Sequence, residues 1–517
     1  MGRPRARHAR VAAIAPLVAI GSWLSPVVLA VLAARAVAGD PQFPLLAASI
    51  ASAAVVGLLA PPASARPLAP VAALALLAAL MLVLAAELVV MADLARSLGL
   101  TRFHGLVAAA VLALGVAAVP FGDRWWRLAA PVGALVVLVP LALVIASVGP
   151  PWIVWRDVAS RPALTFDEHS AWVTHGRALP EGTRLTFDEP HRVTAATAAT
   201  WRVVERDPVG RGDAQPVRIV VREWRLNPGD ALTVRPGDQL SVEPEARVRF
   251  EAGRRVPGAP ASGISWADGG RRRIRDILVA VGGTAVTLVG GGLALVAPAP
   301  MRGATVAIAL TPALIVAFVL GATLWGLYGI ALAPELSLVP RALAPVLEVV
   351  QRVDTPSWRA ALAGLVTTAL VVLFLGVVFA WRVRAGATLA GLAVAFRRPS
   401  MSTAATAGGT AAVVVLAAAV AWMRGDPWQL FTWGLGLAAS AVVAPRLAAA
   451  GPRAELVGMA VGTGAFAAAA LWIPHPALVA APLAWLAGSC TWGERDASPK
   501  PPYAPGVGEA AARHERR

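Results

Sequence analysis

The chain has 517 residues, of which 57% are hydrophobic and 15% are charged, and its formal net charge is +16. Soluble domains are about 45–50% apolar and about 25% charged, so this little charge does not cover a soluble globule of that size. The composition therefore excludes an ordinary soluble enzyme, a disordered protein and a disulfide-stapled secreted domain. It indicates a polytopic α-helical membrane protein.

Apolar stretches long enough to cross a bilayer fall into two blocks. A helix needs about 20 mostly apolar residues to cross about 30 Å of hydrocarbon. This rule predicts about twelve transmembrane helices, several of them short enough to be half-spans. The N-terminal block, residues 1–149, holds five, near 11–37, 44–60, 69–92, 105–121 and 128–149. The C-terminal block, residues 276–493, holds seven, near 277–298, 304–333, 360–381, 402–423, 428–444, 456–473 and 476–492.

The distribution of arginine predicts the orientation, because basic residues in short loops favour the cytoplasmic side. With the N-terminus inside and twelve spans, 19 basic residues lie on the cytoplasmic side and 7 in short external loops. This predicts a bacterial cytoplasmic (inner) membrane protein with both termini, including a disordered tail at 494–517, in the cytoplasm. The basic cluster at 271–275, beside the sixth predicted span, argues against this orientation. Cleavage of a signal peptide near 36–39 is the alternative to a first transmembrane span.

A polar segment at 150–275 separates the two blocks, and we predict an inserted all-β extracytoplasmic domain, a small sandwich or barrel. Asn-Pro-Gly-Asp at 227–230 recurs as Arg-Pro-Gly-Asp at 235–238, which turn chemistry explains. Leu-Thr-Phe-Asp-Glu at 164–168 recurs at 185–189, either by chance or as two equivalent strand ends of a duplicated unit. The predicted strands are 171–174, 192–194, 201–204, 217–224, 231–234, 239–242 and 246–250.

Two groups of side chains in this domain are candidate binding residues. Carboxylates and imidazoles suit a divalent-metal site or an acid–base site, but their spacing matches no known motif. We therefore assign no metal, and solvated loop residues at strand ends are the alternative. This group consists of Asp167, Glu168, His169, His175 and His191. An arginine group suits an anionic glycan or lipid headgroup, with a solvated strand face as the alternative. It consists of Arg254 and Arg255 with Arg247 and Arg249.

Ionisable residues inside apolar spans are costly and are therefore candidates for function. Glu87 lies within an apolar run of the third span, and Asp93 and Arg96 follow on the same predicted helix. We predict these three as binding residues for a proton or a polar substrate near the external mouth. The alternative is that Glu87 snorkels towards the membrane surface or pairs locally, with Arg96 or Arg102. A GxxxG at 458–462 predicts tight helix packing, with a broken helix lining a path as the alternative.

Tryptophan and two amphipathic segments mark the predicted membrane surfaces. The segments at 335–353 and 385–396 are amphipathic enough to rest among lipid headgroups. The chain contains 18 Trp and 2 Tyr, and the Trp residues at span ends predict an interfacial belt. We assign to it Trp125, Trp126, Trp152, Trp155, Trp381, Trp428 and Trp492.

Known catalytic signatures are missing from the sequence. It contains no Walker A loop, GxSxG, HExxH or CxxCH. Cys490 is the single cysteine, which excludes an intramolecular disulfide and a multi-cysteine zinc site. Lys500 is the single lysine and lies in the polar tail, which argues against lysine-based catalysis. We therefore expect no cofactor.

These observations favour a component of an envelope export, translocation or assembly system, whose external β-domain engages a partner or cargo. A structural subunit of a larger membrane complex and a membrane-embedded transferase acting on a lipid-linked substrate are the alternatives. The expected partners are the lipid bilayer and a protein bound by the β-domain. The basic residues are spread along the chain instead of forming one concentrated surface, so we expect no nucleic acid partner.

Overall fold

The computed structural model describes part of the chain. It covers residues 24–38, 47, 50–51, 70–118, 128–166, 171–173, 184–208, 217–243, 246–257, 259, 262–267, 282–283, 286–291, 305–338, 343–353, 356–396, 402–449, 451–473 and 475–490. The predicted span 44–60, most of 277–298, the basic cluster 271–275 and the tail 494–517 lie outside these residues.

The described part is mostly helical, and six of its helices are long and apolar enough to cross a membrane. These six are α2, α4, α7, α9, α10 and α11, and α1, α3 and α13 are shorter apolar helices. The chain is thus compatible with an integral membrane protein, while the count of twelve spans stays a prediction. The helices are α1 Pro26–Val37, α2 Pro70–Ser97, α3 Arg102–Ala118, α4 Ala129–Val148, α5 Pro151–Ser160, α6 Gly263–Ala267, α7 Thr305–Leu332, α8 Ala344–Arg352, α9 Pro356–Ala395, α10 Thr403–Met423, α11 Pro427–Ala448, α12 Pro452–Ala469 and α13 Ala477–Ser489.

Glycines bring these helices into close contact, as small residues do at helix interfaces in membranes. A Cβ atom at Gly376 of α9 would lie 2.7 Å from the Cβ of Ala130 at the start of α4. The two glycines of the GxxxG in α12 are also crowded by α13. A Cβ at Gly458 would lie 2.9 Å from the carbonyl oxygen of Ala484, and a Cβ at Gly462 would lie 2.9 Å from the Cβ of Ala484. The GxxxG therefore packs α12 closely against α13.

Helices α1, α4 and α7 run parallel. Gly326 of α7 lies against Ala36 of α1, and three residues later Gly329 lies against Val37. Gly321 lies against Leu138 of α4, and the Tyr328 hydroxyl about two turns further along α7 donates to the carbonyl of Gly149, just after α4. Their last residues therefore share one end of the helix block. We call this the sheet-side end, since the chain leaves α4 there towards the strands.

One of the two amphipathic segments differs from its predicted surface position, and the other continues a long helix. Helix α9 is one continuous helix of 40 residues, so the predicted span 360–381 and the segment 385–396 belong to the same helix. At about 1.5 Å per residue it is about 60 Å long, twice a bilayer core, so the segment extends the span. In the segment 335–353, the apolar face of α8, with Val346, Val349 and Val350, is buried inside the protein beside α1 and α9.

Residues between α5 and α6 form two antiparallel sheets, each four-stranded in the described part. The strand orders are β1-β8-β3-β6 and β2-β7-β4-β5. The buried side chains alternate along β3 and β8, as expected for strands with one face on a core. We call this the sheet region; its type, sandwich or barrel, stays a prediction. The strands are β1 Ala171–Val173, β2 Arg184–Thr186, β3 His191–Ala195, β4 Ala199–Pro208, β5 Val217–Leu226, β6 Ala231–Val234, β7 Gln239–Val242 and β8 Arg247–Phe250.

The two Leu-Thr-Phe-Asp-Glu repeats occupy equivalent positions. Phe166 donates its N–H to the carbonyl of Arg254 and accepts from the N–H of Gly253, whose φ is +80°. Phe187 makes the same pair of bonds with Asp238 and Gly237, whose φ is +86°. Each phenylalanine thus lies on a turn whose glycine adopts a left-handed conformation that other residues rarely take. This geometry favours two equivalent strand ends over chance repetition.

Candidate functional site

A short helix begins inside an apolar stretch that the sequence predicts to be a complete span. Ser25 has an extended backbone, and α1 starts at Pro26. The Ser25 hydroxyl caps the helix by accepting the N–H of Val28 at 3.1 Å. With 12 residues, α1 is about 18 Å long, which is shorter than a bilayer core of about 30 Å.

The carboxylate of Glu87 completes the start of this helix. Its Oε2 accepts the N–H of Val27 at 3.3 Å, and the Ser25 side chain also hydrogen-bonds the carboxylate. Glu87 is fully buried, and Oε1 has no hydrogen-bond partner among the described residues. A carboxylate is suited to this position because the first N–H groups of a helix lack internal partners and carry partial positive charge.

The other end of α1 is held by α6, the helix that follows the sheet region. The Trp266 indole N–H of α6 donates to the carbonyls of Ala36 and Val37, at 3.2 Å each. These carbonyls belong to the last turn, where helix carbonyls lack internal partners. Trp266 is buried and its ring lies 5.0 Å from the ring of Trp155 on α5. Helix α1 therefore connects a buried carboxylate with the element that follows the sheets.

Further hydrogen bonds fix the entry to the sheet region. Arg161, just after α5, donates to the carbonyl of Ala331 near the end of α7 at 3.1 Å and pairs with Asp157 at 2.7 Å. Tyr328 donates to Gly149 immediately before α5. The chain on both sides of the sheets is thus bonded to the sheet-side end of the helices.

Two further ion pairs are present, one between buried residues and one between a buried and a partly buried residue. Asp93 and Arg96 on α2 are both buried, with 3.9 Å between Oδ1 and Nη1. Arg352 of α8 donates to Glu335, which is also buried. Glu87 uses the backbone of α1 as its partner, so the predicted alternative of pairing with Arg96 or Arg102 is not what the structure shows. Arg102 instead donates to the carbonyl of Ala421.

The candidate group of carboxylates and imidazoles in the sheet region is described only in part. Asp167, Glu168, His169 and His175 lie outside the described residues, and the part that is described contains no cluster of three or more potential metal ligands. His191 is buried between Phe166 and Phe187. Burial lowers its pKa, and Glu189, with 3.8 Å between Oε1 and Nε2, opposes the shift.

Two of the four residues in the arginine group, Arg254 and Arg255, are paired with acidic residues. Arg254 lies 3.6 Å from the Glu251 carboxylate, and the Arg255 guanidinium lies 3.7 Å from that of Asp188. The Arg255 N–H also donates to Glu189 at 2.8 Å. These pairs reduce the positive charge available to an anionic ligand. Arg247 and Arg249 lie on the exposed face of β8.

Tryptophans separate into surface and structural residues. Trp152 and Trp155 are exposed at the sheet-side end, as an interfacial belt requires. Trp381 is buried and donates to the carbonyl of Leu80 at 2.9 Å, so its assignment to the belt is wrong. Trp428 is partly buried beneath the guanidinium of Arg35. Trp125, Trp126 and Trp492 lie outside the described residues.

The partners of Glu87 and the contact of Trp266 with α1 were not predicted from the sequence. A signal for the first is present, because Ser-Pro at 25–26 is a typical helix start within an apolar run. No sequence signal identifies the second, since the contact joins residues 230 positions apart.

The chain matches no protein-family model and no curated protein with which it was compared. Function is therefore inferred from the geometry of these residues.

Proposed function

We propose that this chain is an integral inner-membrane component of an envelope export, translocation or assembly system. In this role its sheet region lies outside the cytoplasm and engages a protein partner or cargo. The helices form the membrane platform on which that partner is held, and the lipid bilayer covers their exposed apolar faces.

One observation carries this proposal. The sheet region is bonded to the helix ends through Trp266 on one side and Arg161 on the other. A partner bound by the sheets is therefore held at a fixed place over α1 and α7. The exposed tryptophans of α5 support a position at the membrane surface.

The β4–β5 hairpin offers an accessible face for such a partner. Strand β5 is the last strand of its sheet in the described part, and its residue Val221 is exposed. Cross-strand pairs Arg222–Glu205 and Arg202–Glu223 line the hairpin at 3.4 and 3.7 Å. Edge strands carry unpaired backbone groups, and charges of this kind limit non-specific pairing.

Site-specific photo-crosslinking in living cells tests the proposal. A photoreactive amino acid at Val221 should form adducts with an envelope or exported protein. The same group at Val203, which is buried on the adjacent strand, serves as the matched control and should form none. Equal adducts at both positions, or none at exposed sheet positions, would contradict partner binding by the sheets.

The lifetime of the adducts separates cargo from a permanent subunit. If the bound protein is cargo in transit, adducts formed after protein synthesis is blocked should disappear as the cargo is cleared. Adducts that persist undiminished would instead support a structural subunit of a larger complex. Mild-detergent purification should then recover the same protein in constant ratio.

A further inference from the structure

Glu87 stands in surroundings that accommodate both the charged and the neutral carboxyl group. The Val27 N–H and the Ser25 side chain contact the carboxylate, and the N-terminus of α1 adds partial positive charge. The remaining oxygen, Oε1, has no partner in the described part and is fully enclosed. Apolar enclosure favours the uncharged acid, because an ion without full compensation is costly to bury.

The ligand chemistry that fits this site is a proton. A hard metal cation takes about six or more oxygen ligands, and among the described residues Glu87 belongs to no group of three or more His, Cys, Asp or Glu side chains. A helix N-terminus also repels a cation. No charged side chain acts on Glu87 from the described residues of the helices packed against α2, namely α1, α3, α9, α10, α11 and α12.

Helix α1 transmits a change at this site to the sheet region. Its first N–H groups contact Glu87, and its last carbonyls accept the Trp266 indole N–H about 18 Å away. A hydrogen bond to a charged acceptor is roughly twice as strong as one to a neutral acceptor. Loss of the charge at Glu87 therefore loosens the start of α1.

We propose that Glu87 binds and releases a proton and thereby controls how firmly the sheet region is held on the helices. The charged carboxylate fixes α1 and the Trp266 contact. A proton taken from water converts the carboxylate to the acid, weakens the bond to Val27 and releases α1. Proton binding at Glu87 does not depend on the proposed partner. The role of this proton rests on the proposed function, in which it adjusts the sheet region while a partner is bound.

Two readouts on the full-length protein in liposomes test this proposal without any partner. Dicyclohexylcarbodiimide is an apolar reagent that adds to protonated carboxyl groups, and peptide mass spectrometry locates the adduct. Hydrogen–deuterium exchange of residues 263–267, corrected for the intrinsic effect of pH, reports how firmly α6 is held against α1. In the wild-type protein, both labelling of Glu87 and exchange at 263–267 should rise as pH falls, with the same midpoint.

Three variants distinguish proton binding at Glu87 from its effect on the contact between α1 and α6. Glu87→Gln is a neutral mimic, so it should lose the label and show at neutral pH the exchange that the wild type reaches in acid. Trp266→Phe should keep the label and lose the pH dependence at 263–267. Glu455→Gln, in the ion pair with Arg446, is the matched control and should behave as wild type.

Three results would overturn the inference. They are labelling of Glu87 that does not change with pH, different midpoints for labelling and exchange in the wild type, and identical exchange in Glu87→Gln and wild type. The wild-type comparison needs no variant, so it decides the matter even if Glu87→Gln does not fold. Failure of crosslinking at Val221 would contradict the proposed function and leave these results unaffected.

Discussion

The close contact between α9 and α4 predicts that a methyl group added at one glycine of α9 destabilises the protein. Gly376 faces the first turn of α4, and a Cβ added there would lie 2.7 Å from the Cβ and 2.8 Å from the Cα of Ala130. Gly364 lies on the same helix, and a Cβ added there meets nothing within 4 Å. The two Gly→Ala substitutions therefore differ in the space around the new methyl group.

The free energies follow from that difference. Alanine is favoured over glycine in a helix by about 1 kcal/mol, so Gly364→Ala should stabilise the protein by up to about that amount. Gly376→Ala gains the same propensity but overpacks a contact with backbone and Cβ atoms, which costs about 1–3 kcal/mol. Because backbone cannot rotate away as a side chain can, we expect the upper end of this range. The two variants should then differ by about 3 kcal/mol.

Unfolding of both variants in mixed micelles with increasing sodium dodecyl sulfate measures the difference directly. Gly376→Ala should unfold at lower detergent fraction than wild type, and Gly364→Ala at the same or a higher fraction. Equal stability of the two variants would refute the described contact between α9 and α4.

Three further predictions concern the ion pair of α8, the histidine core and the turns. Arg352→Met removes the guanidinium that pairs with buried Glu335 and should lower the free energy of unfolding by about 3 kcal/mol. Adding Glu335→Gln should restore part of that loss in the same unfolding assay. Burial lowers the pKa of His191, so the unfolded chain binds its proton more readily and local stability should fall as pH drops below about 6.5. His191→Gln should abolish this slope in hydrogen exchange of β3. Gly237→Ala should cost about 1 kcal/mol through its positive φ, and Gly237→Asn less, by the same measurement.

Much of the fold could be predicted, since helix and strand signals are local. The helix predicted at 128–149 is observed as Ala129–Val148, because the length of the apolar run and Gly149 determine where it ends. The strand predicted at 231–234 has the same bounds in the structure, where turns with Gly229 and Gly237 flank it. The continuation of the helix past residue 381 could not be predicted, because the arginines that follow resemble a span end. Arg382 instead donates to the carbonyl of Val116 on a neighbouring helix.

The candidate site could be predicted only in part. Glu87 is recognisable because a carboxylate within an apolar run is rare and costly. Its partner Val27 is 60 positions away, and the contact exists because α1 starts beside α2 in the packed structure. Trp381 looked like a surface residue from its place at a predicted span end, but tertiary packing buries it against Leu80. Contacts of this kind depend on which helices are neighbours, and hydropathy does not encode that.

The side of the membrane on which the sheet region lies is the central claim of the proposed function. Native Cys490 is the single cysteine and is exposed. It can be compared with a variant carrying Cys490→Ser and Arg222→Cys, which moves the thiol to the exposed hairpin. A membrane-impermeant maleimide added to intact spheroplasts should label the hairpin thiol and should reach Cys490 only after permeabilisation. Labelling of Cys490 in intact spheroplasts, or protection of the hairpin thiol, would contradict the account.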